Sequence, residues 1–243
     1  MRNVVITGGS RGLGLAIAKK LAAAGYCAIA VARKETPQLT AAIAEISAES
    51  HAVRFVPFDL GELDKIQPFV AALRKSFGPI YGLVNNAALG TDGALSLMSN
   101  SKIAELVHLN TLSPIILTKY VVRAMMADGG GRVVNVASIV AFTGYSGLSV
   151  YSATKASMLG FTRSLAREVG RMGVNVNAVA PGFLDTEMTQ GMADDQRAKV
   201  ARRSALQRLP AVEDVVNAVE FLLGDGARSI TGTVLTVDAG STA

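Results

Sequence analysis

Short apolar runs of strand length recur along the chain, at Val4–Ile6, Ala28–Val31, Val53–Val56, Ile80–Val84, Val133–Val136, Val174–Val179 and Val234–Val237. Between neighbouring runs lie stretches of helical length, with apolar positions at helical spacing. Runs that are continuously apolar, instead of alternating, mark strands covered on both faces, and strands that alternate with helices build a parallel sheet. The pattern predicts an α/β fold, a doubly wound parallel sheet of seven strands in a single domain over residues 1–243. One stretch breaks the alternation. From Pro181 to about Leu209 the chain carries Gly182, Gly191, Met188, Met192 and mixed charge between the sixth strand and the last helix, and it reads as an inserted lid.

Composition narrows the function classes. Half of the 243 residues are apolar, 24 are glycine and 18% are charged, as in a compact soluble domain. The net charge of +5 is not gathered into a basic block with interleaved aromatics, which argues against nucleic acid as a partner and leaves anionic small molecules. A single cysteine, Cys27, excludes an internal disulfide and a cysteine-ligated metal. His51 and His108 are the only histidines and stand far apart, so neither a histidine metal site nor a Ser-His-Asp triad is expected. No run approaches 18 uninterrupted apolar residues and the first strand begins almost at the terminus, so no membrane span or leader is expected and the chain reads as cytoplasmic.

Directly after the first strand comes Thr7-Gly-Gly-Ser-Arg-Gly-Leu-Gly14, followed by a helical pattern over Leu15–Ala24. Strand, glycine turn and helix start occur in the order a dinucleotide site requires, which makes the sheet Rossmann-type. Gly8, Gly12 and Gly14 let the backbone approach a pyrophosphate, whose charge is favoured at a helix amino end. The second strand ends Val31-Ala32-Arg33, where a carboxylate would select NAD. Arg33, with Arg11 in the glycine loop, favours the 2′-phosphate of NADP instead. Asp59, after the third strand, fits either an acceptor for the adenine amine or a helix cap.

Ser138 ends the fifth apolar run, at the carboxyl edge of the sheet where open α/β folds bind ligands. Tyr151 and Lys155 stand four apart, one turn on a shared helix face. A phenol with a reference pKa near ~10 is a weak acid or base at neutral pH, and a neighbouring ammonium stabilises its phenolate. The three side chains can converge on one carbonyl. Asn110 lies in a helical stretch, and Pro114, four residues on, lacks the N–H that would bond its carbonyl. Two readings fit: the proline kinks the helix, or it leaves the Asn110 carbonyl open to a water that reaches Lys155. Arg163, Arg167 and Arg171 form one helical stripe, read as a solvated face or a docking surface, and Met188 and Met192 fit core packing or an acyl pocket.

Together and in this order, these residues resemble the short-chain dehydrogenase/reductase family across essentially the whole chain. The family's T-G-x-x-x-G-x-G matches Thr7–Gly14, and its N-N-A-G matches Asn85-Asn-Ala-Ala88, with alanine at the last position. Its catalytic asparagine, serine, tyrosine and lysine fall on Asn110, Ser138, Tyr151 and Lys155, and its P-G on Pro181-Gly182. The resemblance implies NADP(H) held by Gly8, Ser10, Arg11, Gly12, Gly14, Arg33, Asp59, Asn86, Tyr151, Lys155, Pro181 and Gly182, no metal, and a homotetramer. It implies that Lys155 also holds the nicotinamide ribose. The runs Pro181–Thr189 and Ile230–Gly240 look most like 3-oxoacyl-acyl-carrier-protein reductases, which implies reduction of a 3-oxoacyl thioester bound to carrier protein or coenzyme A. The same residues suit a reductase of sugar, steroid or xenobiotic carbonyls. A non-catalytic nucleotide sensor or a nucleotide-binding transferase would not require the four catalytic positions.

Overall fold

The computed structural model describes residues 1–47, 52–184 and 194–243. Seven strands form one parallel sheet: β1 Asn3–Thr7, β2 Cys27–Ala32, β3 Ala52–Pro57, β4 Ile80–Asn85, β5 Gly131–Val136, β6 Val174–Pro181 and β7 Val234–Val237. Their order across the sheet is β3-β2-β1-β4-β5-β6-β7. The chain winds outward from β1 to β3, returns beside β1 as β4, and winds outward the other way. That reversal opens a crevice beyond the carboxyl ends of β1 and β4, the position where doubly wound sheets bind ligands.

Helices cover both faces because the central strands are apolar on both. On one side α1 (Gly12–Ala23), α2 (Pro37–Ser47) and α8 (Val212–Leu223) bury Ile17, Leu21, Leu39, Val215 and Val219 against Val4, Ile6, Ala28 and Val134. On the other, α3 (Ile66–Phe77), α5 (Ser113–Ala127) and α6 (Ser149–Val169) bury Leu73, Leu117, Val121 and Ala166 against Val5, Ile29, Leu83 and Val133. The remaining helices are α4, Asn100–Val107, and α7, Asp194–Arg203. All seven expected strands are present. Helix α1 begins at Gly12, three residues before the apolar periodicity starts at Leu15, so two of the loop glycines belong to its first turn.

Within the expected lid, Pro181–Leu184 leaves the sheet and α7 supplies a helix. His51, Met188, Gly191 and Met192 lie outside the described residues. Cys27 is buried, as expected from its place in β2. No helix among the described residues is long and apolar enough to cross a membrane.

Candidate active site

The crevice between β1 and β4 is shaped by Thr7. Its hydroxyl donates to the Val84 carbonyl at 3.2 Å and accepts from the Asn86 and Ala87 amides at 2.9 and 3.0 Å. The Asn86 side chain returns a bond to the Thr7 carbonyl at 2.9 Å. These bonds lace the two strand ends together, with Gly8 directly above them and Ser10 buried beside it. A Cβ on Gly14 would lie 2.2 Å from the Gly8 carbonyl oxygen and 2.6 Å from Asn86 Nδ2, so only glycine lets α1 pack this closely onto the turn. Gly12 differs: it is exposed at φ +53°, with nothing within 4 Å of where its Cβ would be.

The α1 amino end has no side-chain cap and no acidic residue in its first turn. A helix amino end with neither among the described residues fits a pyrophosphate. Arg11 is the residue at this end, and Arg33 is exposed immediately after β2. Asp59 accepts a bond from the Gly61 amide at 2.9 Å, an Asx turn, and is not the helix cap it could have been, because the next helical turn starts at Glu62 without a side-chain cap. Gly182 follows β6 and its amide donates to the Val237 carbonyl at 2.9 Å, and a Cβ there would lie 2.8 Å from Asp238 Cβ.

Ser138 follows β5, half-buried, where its hydroxyl accepts from the Val140 amide at 3.3 Å and caps the single turn Ile139–Ala141. Helix α6 packs against this turn and carries Tyr151 and Lys155 one turn apart. Lys155 is 5% exposed and donates from Nζ to the Val136 carbonyl at 2.8 Å, with Nζ 5.7 Å from the centre of the Tyr151 ring. The ammonium therefore bonds the end of β5 and not the phenol. Burial disfavours both charged forms, pushing Tyr151 up to about 12 and Lys155 down to about 8. The expected depression of the phenol by its neighbour is reversed here, because desolvation outweighs attraction across that gap.

The third group sits where α4 meets α5. The intervening turn His108–Leu112 is π-helical, with the Ser113 amide bonding the His108 carbonyl five residues back. Asn110 lies at its centre, 3% exposed. Its side-chain oxygen accepts from the Leu89 amide at 2.8 Å, and its Nδ2 donates to the Leu89 carbonyl at 2.8 Å and to Thr154 Oγ1 at 3.2 Å. Pro114 follows the turn, so the residue that would close an α-helical bond to the Asn110 carbonyl has no N–H. Sequence reasoning missed the Asn110 side-chain contacts and the site roles of Thr7 and Thr154. An asparagine in a helix interior, a poor helix former there, was the available signal for the first.

Around the site, Tyr145 and Phe183 meet edge to face with centroids 5.3 Å apart. In and after α7, Lys199, Arg202 and Arg203 are exposed, while Arg208 pairs with Asp214 at 3.1 Å. Asp214 also accepts from the Ala211 amide, and these two bonds hold its carboxyl below the usual range. The Arg197 side chain lies outside the described residues. Arg163, Arg167 and Arg171 are exposed. No cluster of metal-ligating side chains occurs among the described residues.

Known proteins resemble the chain in sequence and in fold. The short chain dehydrogenase profile matches residues 2–197. The 3-oxoacyl-(acyl-carrier-protein) reductase FabG of Escherichia coli (strain K12) is 38% identical over 237 residues, 97% of this chain and 95% of its own. That of Aquifex aeolicus is 36% identical over 97% of this chain and 95% of its own. Among solved structures, a short chain dehydrogenase from Burkholderia cenocepacia in complex with NADP superposes with a TM-score of 0.91 at 33% identity, covering 100% of this chain and 98% of that one. A putative gluconate dehydrogenase from Agrobacterium tumefaciens gives 0.93 at 26% identity, covering 99% and 95%. The matched motifs, the seven-stranded parallel sheet and these relatives together place the chain in the short-chain dehydrogenase family, as a member most like the 3-oxoacyl-(acyl-carrier-protein) reductases.

Proposed function

We propose that the protein is an NADPH-dependent reductase that converts a 3-oxoacyl thioester to the 3-hydroxyacyl thioester. The observation that carries this reading is Lys155, one turn from Tyr151 on α6, bonded to the Val136 carbonyl at the end of β5 two residues before Ser138, in a sheet whose glycine turn opens a helix without a side-chain cap. Gly8, Ser10, Gly12, Gly14 and Asn86 would hold the pyrophosphate side of the cofactor, and Tyr151, Lys155, Pro181 and Gly182 its nicotinamide side. Arg11 and Arg33 would meet the 2′-phosphate, where an acid would repel it. Asp59 fits the adenine amine only through the carboxylate oxygen that does not bond Gly61. When bound, NADPH supplies the hydride for the substrate's carbonyl carbon.

The chain's own residues handle the oxygen and its proton. Ser138 donates a hydrogen bond to the carbonyl oxygen, and Tyr151 transfers its phenolic proton as negative charge develops there. Positioned acid catalysis is worth roughly 10²–10⁴-fold, and one preorganised donor about 10²–10³-fold. A phenol pushed up to about 12 is protonated at neutral pH, the form that reduction consumes. Lys155, near 8, does not bond the phenol directly, so a bridging hydroxyl or water would carry its proton to Tyr151, and Lys155 would regain one from water held at the Asn110 carbonyl. The raised phenol thus supports the reductive direction.

Two of the relatives point to acyl thioesters, whereas the Agrobacterium neighbour's name supports a second reading with a sugar-type substrate. The test is NADPH oxidation against acetoacetyl-CoA, longer 3-oxoacyl thioesters, sugar ketones and a steroid ketone. Thioester reduction is expected to have the highest kcat/KM, with a KM that rises with salt, because Lys199, Arg202 and Arg203 steer an anionic substrate. Reduction of sugar or steroid ketones alone would keep the reductase and overturn the substrate. A homotetramer is proposed for the assembly, for which Val107, Leu112 and Phe221 are exposed apolar side chains, and light scattering tests it.

A further inference from the structure

Helix α6 and the π-turn are joined by hydroxyl groups that no catalytic role accounts for. Thr154 lies between Tyr151 and Lys155 and is 2% exposed. Its single proton goes to the Tyr151 carbonyl at 2.7 Å, which leaves its oxygen to accept from Asn110 Nδ2 at 3.2 Å. The Asn110 amide is then completely used, because its other donor and its acceptor both bond Leu89. A second clasp lies next to the first: Thr111 and Ser157 hydroxyls are 3.0 Å apart, and Ser157 donates to the Thr154 carbonyl at 2.7 Å.

Resting on the reductase reading above, we infer that Thr154 is a positioning residue: it pins the π-turn to the turn of α6 that carries Tyr151 and Lys155, and so holds the Asn110 carbonyl in place to resupply protons. The physical need is specific. A π-turn is a local departure from the α-helix and competes with other registers. Pro114 has no N–H to donate in any register, so it removes the α-helical bond to Asn110 without choosing among the others. Side-chain contacts must select among the rest, and of the Asn110 anchors only Thr154 belongs to the helix that carries the acid. Removing its hydroxyl leaves a buried Asn110 N–H without a partner, which drives the asparagine to another arrangement.

The experiment compares Thr154→Val, which keeps the shape and removes the hydroxyl, with Thr154→Ser, which keeps the hydroxyl, in NADPH oxidation by acetoacetyl-CoA. The valine variant is expected to lose about tenfold in kcat, the equivalent of one buried hydrogen bond, with KM for NADPH changed by less than about twofold. Its loss deepens as pH rises, where proton resupply limits turnover, and the serine variant restores both rate and pH profile. Exchange of the Leu89 amide hydrogen, bonded to Asn110 Oδ1, accelerates in the valine variant alone. Ser157→Ala breaks only the second clasp and leaves the pH profile unmoved. If the valine variant does not fold, Thr154→Ala carries the same measurements. An unchanged kcat and pH profile, or a serine variant as slow as valine, overturns the inference. Absence of carbonyl reduction by the unmodified protein instead overturns the reductase reading, and the inference with it.

Discussion

Replacing Lys155 by methionine should change how stability depends on pH, since this ammonium is buried and bonded only to the Val136 carbonyl among the described contacts. Its fall from 10.5 to about 8 corresponds to roughly 3 kcal/mol of disfavoured charge. The folded protein holds this proton less tightly than the unfolded chain. Below pH 8 both states are protonated and the full penalty is present; between 8 and 10.5 the unfolded state binds more protons, so stability rises with pH. Methionine has no such proton. Loss of the Val136 bond subtracts a constant amount of about 1 kcal/mol at every pH. The parent should therefore gain roughly 2 kcal/mol relative to Lys155→Met between about pH 7.5 and about pH 10. Urea unfolding of both proteins at intervals across that range reads the difference directly, below the region where Tyr151, pushed up to about 12, contributes in the opposite sense. Parallel curves would refute the reasoning, because they would mean that Lys155 titrates alike in folded and unfolded chains.

Tyr151→Phe removes only the phenolic oxygen, and kcat should fall by at least roughly 10²-fold with NADPH binding little changed; near-normal turnover would sink the acid assignment. Alcohol oxidation needs the phenolate, so its rate in the unmodified protein should climb with pH across the alkaline range, and a flat profile would contradict the buried, protonated phenol. Gly14→Ala forces a Cβ to within 2.2 Å of a backbone oxygen; a cost of about 1–3 kcal/mol should lower Tm by roughly 2–12 °C, and an unchanged Tm would show that the turn relaxes. Ala32→Asp with Arg33→Ile places an acid where the 2′-phosphate is expected, and should reverse a preference for NADPH that is tenfold or more at about 1.5–3 kcal/mol per contact. Equal kcat/KM for NADPH and NADH in the unmodified protein would dismiss the arginine argument.

The seven strands, their parallel direction and the position of the glycine turn were legible along the chain because each depends on local composition. Continuous apolar runs can only be buried on both faces, and a strand followed by Gly8, Gly12 and Gly14 can only turn tightly. The spacing of Tyr151 and Lys155 likewise fixes a shared helix face before any fold exists. Their protonation was beyond the sequence. Whether an ammonium four residues away lowers a phenol or is itself stripped of its proton depends on distance and solvent, and both were set when α6 packed against β5 and Lys155 met the Val136 carbonyl. Pro114 announced an interrupted helix, but the π-turn and its anchoring to Leu89 and Thr154 arise from three segments distant in sequence. Local sequence determined which groups the site contains; tertiary packing decided which of them touch, which are dry, and therefore which can hold or give up a proton.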